Sequence, residues 1–177
     1  TGELVRNFTG QTIAISSNRI NVLTGHRDNA VYFWNMSIEP PIGKLEGHLK
    51  SIEDVEFLHN KMQAISIAYD NSVKLWDLTT GTESKSFEVH SHTIKACALS
   101  SDNTNIGTVA DDGIRLWDSE QGKVIKRFYS YKEQIHSIVF SSDSKQCLIG
   151  SEDNTAKLLD LNSTEIIQTF SGHFGYV

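Results

Sequence analysis

Residues 135 to 160 read IHSIVFSSDSKQCLIGSEDNTAKLLD, and polar positions cut this stretch into three short apolar runs. The separators, SSDSK and SEDN, consist largely of residues whose side chains hydrogen-bond to nearby backbone and so favour turns. A fourth run, EIIQTF at 165–170, follows LNST. Short apolar runs bounded by Ser, Asp and Asn predict strands. No 3.6-residue periodicity is sustained along the chain, so no helix is predicted. The pattern gives an all-β chain with four strands in a stretch of about 42 residues.

That stretch is one copy of a repeat. Trp34, Trp76 and Trp117 are 42 and 41 residues apart, and a further step of 42 reaches Leu159 in NTAKLLDLNSTE. His48, His90, Tyr131 and His173 step by 42, 41 and 42. An Asp stands six residues before each Trp or its equivalent: Asp28, Asp70, Asp111 and Asp153. Three markers in one register identify a repeat protein.

The order within each unit is Gly-His, two strands, an Asp-containing turn, then Trp-Asp. LEGHLKSIEDVEF…DNSVKLWDLTTG is the best-formed copy. This order and period resemble the WD-repeat family of β-propellers, and the resemblance covers essentially the whole chain. It implies blades of four antiparallel strands packed radially around a channel. About four blades are expected here, as part of a seven- or eight-bladed propeller.

The expected blades run 9–46, 47–88, 89–129 and 130–171. Residues 1–8, TGELVRNF, match TGTESKSF at 80–87 and read as the outer strand of a preceding blade, while 172–177 open a further one. Four twisted sheets would leave two raw faces. Further blades in the same chain, or pairing with a second copy, are therefore expected to close the propeller. Aligned on the Asp, the first blade lacks about five residues between Gly10 and Gln11, where the other units carry their His.

Composition removes several alternatives. Acidic residues exceed basic ones, 22 to 16, and the basic residues are scattered, so no nucleic-acid partner is expected. No apolar run approaches the roughly 18 residues of a membrane span. Cys97 and Cys147 lie in strand-like runs without metal-ligand spacing and read as reduced core thiols, which favours an intracellular, cytoplasmic or nuclear, location. No cofactor or metal is expected.

The resemblance assigns a structural tetrad to the second unit: His48, Ser66, Asp70 and Trp76. Asp70 would accept from His48, whose other nitrogen reaches Ser66, and Ser66 would take the Trp76 indole N–H. The third unit keeps His90, Asp111 and Trp117, with Gly107 at the serine position. The first keeps Thr24, Asp28 and Trp34, its His falling in the gap. The fourth keeps Asp153 alone, beside Tyr131, Ile149 and Leu159. Ser, His and Asp together also suggest a hydrolase. A catalytic site is needed once, however, and these positions recur every 42 residues and decay along the chain. No G-x-S-x-G elbow exposes a nucleophile.

A non-catalytic protein-interaction scaffold is therefore the expected function, with partners on the propeller's top face. Carried over position by position, the candidate contact residues are Ser51, Glu53 and Tyr69; Thr93, Lys95 and Ala110; Gln134, His136 and Glu152; and Arg27 and Tyr176. Alternatives are a regulatory or sensor propeller of a larger nucleotide-dependent switch protein and a substrate receptor of a ubiquitin ligase. The ligase role is disfavoured in these blades because the position two after each Trp-Asp acid holds Ser37, Thr79, Glu120 or Asn162 where such receptors carry Arg.

Overall fold

The computed structural model describes residues 7–59, 61–88, 90–129 and 134–177, and among them every regular element is a strand. β1 (Thr12–Ile15), β2 (Asn21–Gly25), β3 (Ala30–Asn35) and β4 (Gly43–Glu46) form the first sheet in chain order. β5 (Ile52–Phe57), β6 (Gln63–Ala68), β7 (Ser72–Asp77) and β8 (Thr82–Glu88) form the second. The third holds β9 (Ile94–Leu99), β10 (Asn105–Ala110), β11 (Gly113–Asp118) and β12 (Val124–Tyr129). The fourth holds β13 (Ile135–Phe140), β14 (Gln146–Ser151), β15 (Thr155–Asp160) and β16 (Ile166–Ser171). Residues 1–6 of the outer strand expected at 1–8, and Tyr131, lie outside the described residues.

The chain divides into two units, Thr1–Lys85 and Ser86–Val177, with the division inside β8. The core of the first gathers Leu23, Phe33, Val55, Phe57, Ala64 and Trp76. That of the second gathers Val109, Leu116, Ile138, Cys147, Ile149 and Leu159. In β6 five consecutive residues, Ala64 to Ala68, are buried, so this strand is covered on both faces. Fully burying each of Ile65 and Ile67 stabilises by roughly 1.5–3 kcal/mol.

Two local features place the side chains at one end of each sheet. The first is the turn between the second and third strands. Asn29, Asn71 and Asn154 there have φ of 69°, 64° and 64°, a left-handed conformation that Asn tolerates better than most residues. The third sheet makes this turn with one residue fewer. Ala110 pairs with Gly113 across Asp111 and Asp112, and Gly113 takes the positive φ of 117°.

The second feature is a bulge in the first strand. Ile52 faces Ala68 but Asp54 faces Ile67, which leaves Glu53 as the extra residue. Lys95 is the extra residue between Ile94 and Ala96, and His136 between Ile135 and Ser137. A bulge bends the strand and re-aims the unpaired side chain. β1 pairs Thr12 to Ile15 with Gly25 to Val22 without one.

Candidate functional site

Beneath the Asp turn of the second sheet lies a chain of four side chains. Trp76 Nε1–H donates to Ser66 Oγ at 2.8 Å, and Ser66 Oγ lies 2.7 Å from His48 Nε2. His48 Nδ1 lies 3.1 Å from Asp70 Oδ2. Asp70 also accepts from the Leu49 N–H at 2.7 Å and from Ser72 Oγ at 2.7 Å. Burial lowers the His48 pKa even though Asp70 opposes it. Burial also pulls on Asp70 in the opposite sense, but hydrogen bonds from Leu49 and Ser72 outweigh it and hold the carboxyl below its ordinary range. The pair is thus a neutral imidazole donating from Nδ1 to a carboxylate, with Nε2 free to accept the Ser66 hydroxyl. Each buried polar group is satisfied, where an orphan would cost about 1–3 kcal/mol.

The third sheet repeats the chain with different residues from those expected. Trp117 Nε1–H donates to Thr108 Oγ1 at 2.9 Å, and Thr108 Oγ1 lies 2.9 Å from His90 Nε2. His90 Nδ1 meets Asp112, which also pairs with Arg115 at 2.7 Å. Thr108 therefore holds the hydroxyl position where Gly107 was expected, and Asp112 replaces Asp111. The reason is the shortened turn. Counting back from Trp117 crosses the deletion, whereas counting forward from His90 gives the same 18-residue step to the hydroxyl that separates His48 from Ser66. Gly107 has a packing role, since an added Cβ would come within 2.8 Å of Ile138.

The other two sheets depart further. In the first, Trp34 Nε1–H donates to Thr24 Oγ1 at 2.8 Å, and the imidazole on Thr24 belongs to His26, at 2.8 Å. Asp28 is met by the Tyr32 hydroxyl at 2.8 Å. His26 stands in the turn before β3 and is half-buried. In the fourth, Lys157 and Thr155 bind Asp153, whose carboxyl falls to about 2 because those bonds outweigh its burial. Ile149 and Leu159, both buried, fill the hydroxyl and indole positions. Tyr32, Arg115 and Lys157 share one register place on the third strand, opposite Thr24, Thr108 and Ile149. In the first and fourth sheets Tyr32 and Lys157 donate to the turn Asp from this place, as Arg115 does beside His90 in the third.

The candidate contact residues lie above these turns. Each bulge residue reaches the residue preceding the turn Asp: Tyr69 donates to Glu53, raising the tyrosine pKa. Lys95 pairs with Asp111 at 2.7 Å, and His136 Nε2 lies 2.8 Å from Glu152 Oε1. Lys95 also donates to Gln134, and the His136 ring stacks on Tyr176 at 6.1 Å. Tyr176 is 73% exposed and Tyr69 40%. Val177 N–H donates to Ser151 O at 3.2 Å, as Ile52 N–H does to His26 O at 3.1 Å, so Tyr176 takes the place that Ser51 takes beside Ile52. Arg27 and Gln134 are exposed, and Ser51 and Thr93 half-buried. Ala110 is a correction: it is buried, paired with Ile94, and Asp111 occupies the contact position expected of it. Here too the shortened turn moves the register by one.

Ser66 is fully buried, with its oxygen committed to Trp76 and His48. Such a hydroxyl cannot meet a substrate. Among the described residues no group of three or more His, Cys, Asp or Glu side chains is arranged to hold a metal ion, and no helix is long and apolar enough to cross a membrane.

A family model described as WD domain, G-beta repeat, matches residues 39–77, 81–118 and 122–160. The chain is 26% identical over 98 residues to apoptotic protease-activating factor 1 of Homo sapiens and 29% over 98 residues to that of Rattus norvegicus. These alignments cover 55% of this chain and 8% of either relative. It is 29% identical over 82 residues to the U3 small nucleolar RNA-associated protein 15 homolog of Xenopus laevis, covering 46% of this chain and 16% of that protein.

Proposed function

The chain belongs to the WD domain, G-beta repeat family, and from that premise we propose that it is a non-catalytic protein-interaction scaffold. Its partner docks at the Asp-turn end of the sheets. WD repeats in general serve protein binding; the finer reading rests on the bulges. In three sheets the first strand spends an unpaired residue, Glu53, Lys95 or His136, and turns it toward Tyr69, Asp111 or Glu152. A bulge forgoes ladder pairing, and bulges are over-represented next to functional sites, where they re-aim side chains. The turn beneath keeps a bonded Asp in all three sheets, Asp70, Asp112 and Asp153, while these positions vary in charge from sheet to sheet. Variable side chains on a constant frame are the arrangement of a recognition surface. Tyr69 in the first unit and Tyr176 in the second, each an exposed aromatic among charged groups, each anchor their own unit's surface.

The test is a photo-crosslinking amino acid placed at position 69 or 176, with position 163 at the opposite end of the sheets as control. Partner adducts form at 69 and 176 and fail at 163. Equal adducts at all three positions would refute the assignment.

A second reading is favoured by the alignment with apoptotic protease-activating factor 1, in which the matched stretch is 8% of that protein. In it, these blades are part of a regulatory propeller within a longer protein, closed by further blades.

A further inference from the structure

At the end of the sheets opposite the Asp turns, three sheets close their first two strands with the same polar turn. The N–H groups of Ser16, Ser100 and Ser141 donate to the carbonyls of Asn21, Asn105 and Gln146. Their hydroxyls donate to Asn18, Asp102 and Asp143, each at 2.6 Å. The second sheet keeps the backbone bond, from Leu58 N–H to Gln63 O at 3.0 Å, but puts an apolar residue in the serine's place. Phe57 and Leu58 are buried there, and Met62 is 43% exposed.

These three apolar residues belong to a cleft of about 330 Å³ within the first unit, lined also by Ser16, Asn21 and Lys61, among others. Small-ligand sites of this size pair apolar walls with a few polar groups. Asn21 is 9% exposed, and its bonds to Ser16 are made by its backbone N–H and carbonyl. Among the described residues its side-chain amide has no partner. The equivalent Asn105 donates from Nδ2 to Thr104 Oγ1 at 2.9 Å. Ile20 holds the place of Thr104, since Met36 N–H donates to Ile20 O as Ser119 N–H does to Thr104 O. An isoleucine offers no oxygen, so the Asn21 amide is left to the cleft. Among the described residues lining it, Lys61 is the one ionised side chain.

We infer that this cleft binds the C-terminal residue of a partner polypeptide, one with an apolar side chain. The terminal carboxylate accepts from the Lys61 ammonium and from Asn21 Nδ2–H, and the last peptide N–H donates to Asn21 Oδ1. The apolar side chain lies on Phe57, Leu58 and Met62. A buried amide needs both an acceptor and a donor. A chain end presents the two side by side, whereas a simple carboxylic acid satisfies only the N–H half. Lys61, with no acid beside it in the cleft, selects the anion. The site is at the far end of the sheets from the Asp turns and separate from the recognition surface proposed above.

The test titrates the isotope-labelled chain with acetyl-Gly-Leu carrying a free carboxylate. Three relatives are compared: its C-terminal amide, acetyl-Gly-Gly, and isocaproate, which keeps the branched tail and the carboxylate but has no N–H. Acetyl-Gly-Leu gives saturable shifts at the backbone amides of Asn21, Leu58 and Met62. The amide and the glycine peptide bind about tenfold or more weakly, and isocaproate about threefold or more weakly. Lys61→Met removes the preference for carboxylate over amide, and Asn21→Asp repels the carboxylate and abolishes the titration. Equal binding of carboxylate and amide, equal binding of isocaproate, an unchanged preference in Lys61→Met, or no shift at these amides overturns the inference. Should Asn21→Asp fail to fold, Lys61→Met, at an exposed position, decides.

Discussion

Trp117 donates its indole N–H to Thr108 at 2.9 Å, and Trp76 donates to Ser66 at 2.8 Å. The two pairs are separated by 41 residues at the tryptophan and 42 at the hydroxyl. The same polar chain is thus built around a turn of either length. Trp76 is 1% exposed and its indole closes the first unit's core. Trp76→Ala is expected to destabilise by about 3–5 kcal/mol, measured by denaturant unfolding. Thr108→Val leaves both the Trp117 N–H and His90 Nε2 without a partner and costs about 1–3 kcal/mol.

The shortened turn separates two adjacent acids that sequence alone confuses. Asp112 meets His90, Ser91 and Arg115, while Asp111 meets Lys95 at the surface. Asp112→Asn should lower the melting temperature clearly, and Asp111→Asn should leave it nearly unchanged, as exposed ion pairs contribute little. The reverse order would return the turn to the register read from the tryptophan.

Acid should loosen the frame in two stages. His48 and His90 are both held below their ordinary value of 6.5 by burial. The unfolded chain therefore binds more protons below that value, and stability falls as pH drops from about 6.5. Asp70 and Asp112 are also depressed, from 3.8, and add a second loss as pH falls below about 4. A melting profile against pH checks this. His48→Gln with His90→Gln should remove the first slope and leave the second.

The fourth sheet should respond differently, because Lys157 stands in for histidine at Asp153. The Asp153 carboxyl is held at about 2, so its contribution is full above 3.8 and is lost as pH falls from there toward 2. Lys157→Met should raise the Asp153 pKa toward 3.8, read from the carboxyl carbon shift. An unchanged value would mean that Thr155 and the backbone alone hold the carboxylate.

The period, the strand number and the second unit's His48–Ser66–Asp70–Trp76 set could be read from residue types, because each marker recurs at fixed spacing. The one-residue deletion was also visible. His90 follows His48 by 42 while Trp117 follows Trp76 by 41, so the lost residue lies between 90 and 117. Two neighbouring Asp residues hid which side of the turn had lost it. The bulges had their own signal: Ile52 and Val55, Ile94 and Cys97, Ile135 and Ile138 are buried at a spacing of three where a regular strand alternates by two. His26 on Thr24 and Lys157 on Asp153 could not be read this way. Each replaces the repeat's histidine from a different place in the unit, and only the strand register brings them to the turn.

The frame is proposed to be structural and the variable residues above it to carry recognition, and Tyr69→Ala tests the two together. Tyr69 is exposed and bonded to Glu53, outside the chain from Trp76 to Asp70. Partner affinity is measured for Tyr69→Ala alongside its melting temperature. Affinity falling by about 2 kcal/mol or more, as for an interface hot spot, with the melting temperature unchanged, is the predicted result. Affinity unchanged with the melting temperature preserved would contradict the account.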